Sequence, residues 1–283
     1  MIALAGRLRA LSVPQPDGSG AELRTISLAN VVALARELRL RRRQVELAAL
    51  QEHILPERYL RSLGTVGWEG QIKLLSSTVG VVGVGGLGGW VIMALARMGV
   101  GRLIIIDGDV FADSNLNRQA LCRESDLGRP KVDVAARWVR QVNAAVQVRK
   151  HYRLVNEEDM VALLAGSEVV VDALDSLPTR LALQRAARRL QVPLVHGAIA
   201  GYVGQVMTIW PADGGLLGLY GSGDVPEHGV ETQWGNPAAT PMMTAAWQVQ
   251  EVIKLLIGRG EPLRCKMLFM DAEWGQVDIL QVP

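Results

Sequence analysis

The stretch Thr78–Asp107, TVGVVGVGGLGGWVIMALARMGVGRLIIID, decides the fold. Thr78 to Val84 is a short β-branched run. Gly83, Gly85 and Gly88 then form GxGxxG, with Gly86 and Gly89 as further glycines, before the apolar stretch Trp90 to Met98. The order is strand, tight turn, helix, and a second apolar run, Leu103 to Ile106, ends at Asp107. Glycines there let the backbone approach a phosphate, and the helix N-terminus presents unpaired N–H groups and the positive end of its dipole. Asp107 stands nineteen positions after Gly88, at a strand end where an acidic side chain accepts ribose hydroxyls. A glycine loop alone can serve only to end a strand; strand, helix and Asp107 in register predict an adenine-nucleotide site.

Outward from this unit, strand and helix patterns alternate. Strands are predicted at 78–84, 102–107, 146–152, 168–173 and 193–197, with helices near 88–98, 129–143, 157–165 and 178–191. Such alternation predicts an α/β, doubly wound, mainly parallel sheet. After Gly201 the pattern changes: 204–210 reads as a strand, 211–237 as a glycine-rich irregular segment, 241–257 as a helix, and 266–271 with 276–281 as a closing hairpin. The sheet is therefore expected to become mixed at its C-terminal end, and the long irregular segment to act as a lid or partner-binding loop.

Residues 1–56 read as an N-terminal helical extension, with a Pro/Gly/Ser stretch at Val13–Gly20 and one helix from an N-cap at Ser27 through Arg43, possible to His53. Arg36, Arg39, Arg41, Arg42 and Arg43 crowd that helix; they read as the solvated face of a helix packed through Val31, Leu34, Leu38 and Val45, and no nucleic-acid partner is expected.

With 283 residues, 49% apolar and 20% charged, the chain can build a sizeable core, and a net charge of +2 points to no strongly charged partner. No apolar run reaches the roughly 18–20 residues of a membrane span and the N-terminus carries arginines instead of a signal-peptide core, so no membrane partner and a cytoplasmic location are expected. Two cysteines, Cys122 and Cys265, are too few for a disulfide framework or a four-thiolate zinc site.

The segment after Asp107, GDVFADSNLNRQALCRESDLGRPK, separates the site from a nicotinamide one. A hydride-transfer enzyme needs a surface for a ring and its acceptor, not several cations beyond the first phosphate loop. Here Asn115, Arg118 and Lys131 follow Asp107, and Asp175 follows the apolar run Val169–Ala173 at the crevice end of the sheet. Arg and Lys can neutralise a triphosphate, and Asp175 can hold Mg²⁺. Singly, each has a plain alternative: a solvated surface cation, or a helix cap before Pro178.

Arg58-Tyr59-x-Arg61, Gly70-Gln71-x-Lys73-Leu74, Gly83-Val84-Gly85-Gly86-Leu87-Gly88, Asp107-x-Asp109, Ser114-Asn115-Leu116-Asn117-Arg118-Gln119, Gly128-x-Pro130-Lys131 and Asp172-Ala173-x-Asp175 together resemble the ubiquitin-activating-enzyme-like superfamily, in its MoeB, ThiF and HesA branch. The resemblance covers about residues 57–283. It implies a Rossmann-like adenylation domain there, with a nucleotide-binding half at about 78–200 and a crossover loop at about 211–237. It implies an adenylyltransferase that uses ATP and Mg²⁺ to activate the C-terminal glycine carboxylate of a small β-grasp ubiquitin-like or sulfur-carrier protein ending in Gly-Gly. Gly83, Gly85, Gly86 and Gly88 would line the phosphates. Asp107 would hold the ribose, with Asp109 and Gln119 beside the nucleotide. Asn115, Arg118 and Lys131 would hold the triphosphate, and Asp175 the metal. Arg61 matches an arginine that reaches into a neighbouring subunit's site, which implies a homodimer.

The departures from that family narrow the expectation. Many relatives carry two CxxC pairs for zinc; the matching places here read DGGLLGLYG (213–221) and LQVP (280–283), so no zinc is expected. Some relatives carry a crossover-loop cysteine, whereas Gly229–Gly235 is GVETQWG, which implies adenylation without a covalent carrier intermediate. Cys122 and Cys265 read as structural. Two other readings stay open. One keeps the ATP site but takes a tRNA-linked or peptide carboxylate, favoured by the arginine-rich helix; the other is a non-catalytic nucleotide-binding partner subunit.

Overall fold

The computed structural model describes residues 2–16, 20, 22–221, 225–226 and 229–282. Parts of the Val13–Gly20 stretch and of the predicted crossover loop lie outside the described residues.

In chain order the extension contains α1 (Ile2–Leu11), β1 (Val13–Pro16), β2 (Glu22–Ile26), α2 (Leu28–Glu37), α3 (Arg42–Gln51) and β3 (Ile54–Pro56). The main body follows with α4 (Leu63–Ser76), β4 (Thr78–Val82), α5 (Gly86–Met98), β5 (Arg102–Asp107), α6 (Lys131–Val142), β6 (Gln147–Tyr152), α7 (Glu157–Leu164) and β7 (Val169–Asp172). It closes with α8 (Leu177–Leu190), β8 (Leu194–Ala200), β9 (Val203–Ile209), α9 (Gly215–Tyr220), α10 (Glu231–Trp234), α11 (Ala239–Ile257), β10 (Lys266–Asp271) and β11 (Gln276–Gln281).

Eight strands form one sheet in the order β11-β10-β9-β8-β7-β4-β5-β6. The run from β8 to β6 is parallel, and β9, β10 and β11 are each antiparallel to their neighbours. The mixed, mainly parallel α/β sheet read from the sequence is thus what the chain builds. β4 sits between β5 and β7, so the chain order reverses on its two sides; crevices of open α/β sheets form at such a switch point, outside the strands' carboxyl ends. The central strands are buried on both faces, which is why they read as unbroken β-branched runs (all of β4 is buried). One core contains Val91, Ile92, Leu95, Val132, Val139, Val249 and Val252 of α5, α6 and α11; the other contains Met160, Leu164, Leu181, Leu183 and Leu216 of α7, α8 and α9.

The single helix read from Ser27 is corrected to two. Ser27 does cap α2, its hydroxyl accepting from Asn30 N at 3.2 Å. The chain then breaks at Arg39, whose φ of +54° no α-helix accommodates, and α3 starts again at Arg42. The sharp turn lets Val31 and Leu34 of α2 meet Val45 and Ala49 of α3 in a separate small core with Leu8, Ile26 and Ile54. The extension is not purely helical either, because β1, β2 and β3 form a three-stranded sheet.

Residues of the Arg58-Tyr59 pair join this extension to the main body. The Tyr59 hydroxyl donates to Glu46 Oε2 at 2.9 Å and accepts from Asn143 Nδ2 at 3.2 Å, while Arg58 also bonds Asn143. Gln71 Nε2 donates to Met98 O at 3.0 Å and Lys73 Nζ to Ile257 O at 2.8 Å. Those two side chains satisfy carbonyls at the C-terminal ends of α5 and α11, which lack helical partners. No helix among the described residues is long and apolar enough to cross a membrane.

Candidate active site

The glycine loop divides into glycines that packing demands and glycines that it does not. Gly83, at φ +93°, has no room for a Cβ, which would stand 2.3 Å from Ala173 O, and at Gly88 a Cβ would stand 1.9 Å from Gly83 O. A Cβ on Gly85 would meet Gln119 Nε2 only at 3.6 Å, and one on Gly86 would meet Pro241 at 3.5 Å. Gly85 and Gly86 therefore keep the backbone bare toward a cleft, where the first turn of α5 offers N–H groups without helical partners. The cleft holds about 470 Å³ and is lined by Gly83, Gly85, Gly86, Asp107, Asp109, Arg118, Gln119, Lys131 and Asp175. Gly88 lies behind its wall.

Asp107 holds the floor of this cleft. Its Oδ2 accepts from Val84 N at 2.6 Å and its Oδ1 from Asp109 N at 2.7 Å, which ties the glycine loop to the strand end opposite. Each oxygen retains a second acceptor site for a ribose hydroxyl. Burial pushes the Asp107 carboxyl up, outweighing the Lys131 charge and the two backbone hydrogen bonds that pull it down. Lys131, the first residue of α6, is buried, and its Nζ donates to Asp109 Oδ2 at 2.9 Å. Gln119 is buried with its Oε1 lacking a partner among the described residues. Arg118 Nη1 donates to Ser114 O at 2.8 Å and Asn117 Oδ1 at 2.9 Å, which uses one nitrogen and leaves the rest of the guanidinium for the cleft.

Asn115 and Arg61 stand apart from that group. Asn115 Oδ1 accepts from Ala112 N at 3.0 Å, closing the turn that carries Arg118, and Asn115 is absent from the cleft wall. Arg61 is exposed just before α4 and lines no part of the cleft of its own chain. Asp175 is exposed at the mouth, and its carboxylate accepts no hydrogen bond among the described residues. Two arginines that sequence reasoning passed over also line the cleft: Arg153, bonded to Asp159 at 2.7 Å, and Arg180, whose Nε donates to Leu174 O at 3.1 Å. Neither belongs to a local motif: Arg153 directly follows the end of β6, and Arg180 stands in the first turn of α8, the helix after β7.

A second, larger cavity of about 1200 Å³ opens on the sheet face beside the cleft. Ala198, Ala200, Val203, Gln205, Phe269 and Asp271 of β8, β9 and β10 form its floor, and Tyr202, Tyr220, Trp234 and Trp274 stand around it. The two cavities share Asp175, Arg180, Ile199, Glu231 and Asn236. The segment 211–237, read as irregular, contains α9 and α10; α10 brings Glu231 to this junction, and Asn236 O accepts from Asn117 Nδ2 at 3.3 Å. Cys122 is half-buried against the core, where burial pushes its thiol up, and Cys265 is exposed.

Residues 58–283 match the ThiF family. The chain is 41% identical over 221 residues to the SAMP-activating enzyme E1 of Haloferax volcanii, covering 76% of this chain and 81% of that one. It is 36% identical over 228 residues to the sulfur carrier protein adenylyltransferase of Thermus thermophilus, covering 76% and 83%. Against the adenylyltransferase and sulfurtransferase MOCS3-2 of Zea mays, at 33% identity, the match spans 76% of this chain but only 45% of the relative. Among solved structures, PaaA superposes with a TM-score of 0.68 at 18% identity over 96% of this chain and 99% of that one. E. coli MccB with ATP superposes with a TM-score of 0.69 at 22% identity, over 80% and 71%.

Proposed function

The chain belongs to the ThiF family, and on that premise we propose that it is an ATP-dependent adenylyltransferase activating the C-terminal glycine carboxylate of a small ubiquitin-like sulfur-carrier protein, with release of pyrophosphate, in the cytoplasm. The observation that carries this reading is the meeting of a nucleotide cleft and an open sheet-face groove at Asp175 and Arg180. The names of the Haloferax and Thermus relatives support the kind of acceptor.

In this reading Asp107 takes the ribose, and the bare backbone of Gly85 and Gly86 with the start of α5 takes the phosphates. The carrier's extended C-terminus runs along the groove to the junction. Its terminal carboxylate, ionised at neutral pH, attacks the α-phosphorus; an O–P bond forms, the bond to the bridging oxygen breaks, and pyrophosphate leaves. No side-chain base is required, so the protein has to align the two reactants and offset growing negative charge. Lys131, Arg118 and Arg180 supply positive charge around the cleft, and Gln119 offers a buried acceptor without a partner.

The donor set fits a magnesium ion that arrives with the nucleotide. Mg²⁺ is commonly held by one or two carboxylates plus substrate phosphates, and Asp175 offers one exposed carboxylate facing the cleft. Bound there, the ion would neutralise triphosphate charge. Arg61, remote from its own cleft, would act in the partner's site of a homodimer.

A second reading keeps the ATP site but takes a peptide carboxylate as acceptor. One assay separates them: ATP–pyrophosphate exchange with a panel of Gly-Gly-ending ubiquitin-like proteins and of short peptides from the same genome. Exchange with a folded carrier supports the first reading; exchange only with peptides replaces it with the second. Exchange with neither removes both.

A further inference from the structure

Directly beneath the groove floor lies a polar pair that the adenylation step leaves unused. His196 of β8 and Asp172 of β7 are both fully buried, with Nδ1 and Oδ2 2.7 Å apart. The other Asp172 oxygen accepts from Leu174 N at 3.0 Å, which also sets the loop leading to Asp175. On its far side, His196 Nε2 lies 3.4 Å from the Gln205 side-chain amide, and Gln205 belongs to the groove floor.

The chemistry of the pair fixes the direction of each bond. Burial holds His196 below the ordinary histidine range, outweighing the neighbouring carboxylate, so the ring is neutral at pH 7. A carboxylate only accepts, so Nδ1 carries the proton and Nε2 presents a lone pair. Only the NH₂ end of Gln205 can face a lone pair. Its carbonyl oxygen is then left for the groove, although a free amide could take either orientation.

We propose that Gln205 binds the substrate tail, its Oε1 accepting a backbone N–H of the extended C-terminal segment, and that Asp172 and His196 are positioning residues that hold it in this orientation. This rests on the carrier-adenylating reading. The neighbouring Ala198 leaves space above the sheet for a chain to approach the amide.

Two measurements test the proposal. In ¹⁵N NMR of histidine-labelled protein at pH 7, His196 shows the Nδ1-protonated neutral tautomer; a protonated Nε2 overturns the assignment, because Gln205 would then have to turn its carbonyl toward the ring. In exchange kinetics with the Gly-Gly-ending protein that wild type uses fastest, Gln205→Met raises the carrier KM about tenfold, the value of one hydrogen bond, and shifts the ATP KM by no more than about twofold. Semisynthetic carriers with one tail amide replaced by an ester cost wild type a similar factor at one position and cost Gln205→Met nothing there. An unchanged carrier KM, or equal ester losses in both enzymes, overturns the proposal. Wild type that adenylates no carrier refutes the underlying reading instead, and the tautomer still decides how Gln205 is held.

Discussion

Lys131 Nζ and Asp109 Oδ2 form a 2.9 Å ion pair in which the cation is buried and the carboxylate is 62% exposed. Such a pair contributes little to stability, since its anion is solvated. Lys131 is also the first residue of α6, where the helix dipole disfavours positive charge. The site makes chemical sense as a cation kept for a bound anion. Lys131→Met is expected to lower carrier-dependent ATP–pyrophosphate exchange about 10²–10³-fold, as loss of a charge-stabilising group does, with little change in Tm. Exchange within a few-fold of wild type would show that the lysine serves only the pair with Asp109.

Asp175 has an exposed carboxylate that faces the cleft and accepts no bond among the described residues. Its removal leaves no buried group unsatisfied. Asp175→Ala should therefore abolish exchange while preserving Tm and the circular dichroism spectrum. A variant that still exchanges at near-normal rate would remove the proposed metal ligand from the account.

Arg61 lies outside the cleft of its own chain, so its proposed action requires a second subunit. Arg61→Ala and Asp175→Ala proteins should each be inactive, and mixing them should restore part of the activity, because mixed dimers contain one site with both residues. No recovery despite subunit exchange verified by mass spectrometry would count against action in trans.

Tyr59 and Glu46 link the extension to the main body, and their bond is fully buried. Tyr59→Phe leaves the Glu46 carboxylate short of a donor and should cost about 1–3 kcal/mol, read as a lower denaturation midpoint. The Glu46 carboxyl is pushed up by burial, only partly offset by Arg58, the Tyr59 hydroxyl and Arg42. A carboxyl raised in the folded state binds its proton more tightly there, so its contribution to stability is full below the ordinary carboxylate range and is lost as pH rises through the raised value. Glu46→Gln removes that loss. Its stability relative to wild type should improve as pH rises from 4 toward neutrality, and a difference that moves the opposite way would contradict the burial argument.

The fold was legible wherever a local pattern matched its physical cause. β4 and β5 are buried on both faces, so they stand as apolar runs, and Gly83 and Gly88 sit where close backbone contacts exclude a side chain. The extension was less legible, because Arg39 breaks its helix through a positive φ that no glycine or proline marks. The cleft was legible from Asp107 to Lys131, where residues close in sequence line one wall. Arg153, just after β6, and Arg180, in α8, are distant in sequence and carry no motif, so only the folded chain brings them in. Asn115 reads from the sequence as a phosphate ligand, and the fold adds that its side-chain Oδ1 closes the turn beneath Arg118, a bond that residue type and spacing do not reveal.

The central claim is that a carrier's C-terminal carboxylate attacks the α-phosphorus of ATP. Intact mass spectrometry of the carrier after incubation with this protein and ATP tests it most directly, with pyrophosphate measured in the same tube. The account predicts one AMP moiety on the C-terminal glycine, pyrophosphate in equal amount, and no product from a carrier whose terminus is amidated. Release of ADP, or AMP found on a side chain, would contradict it.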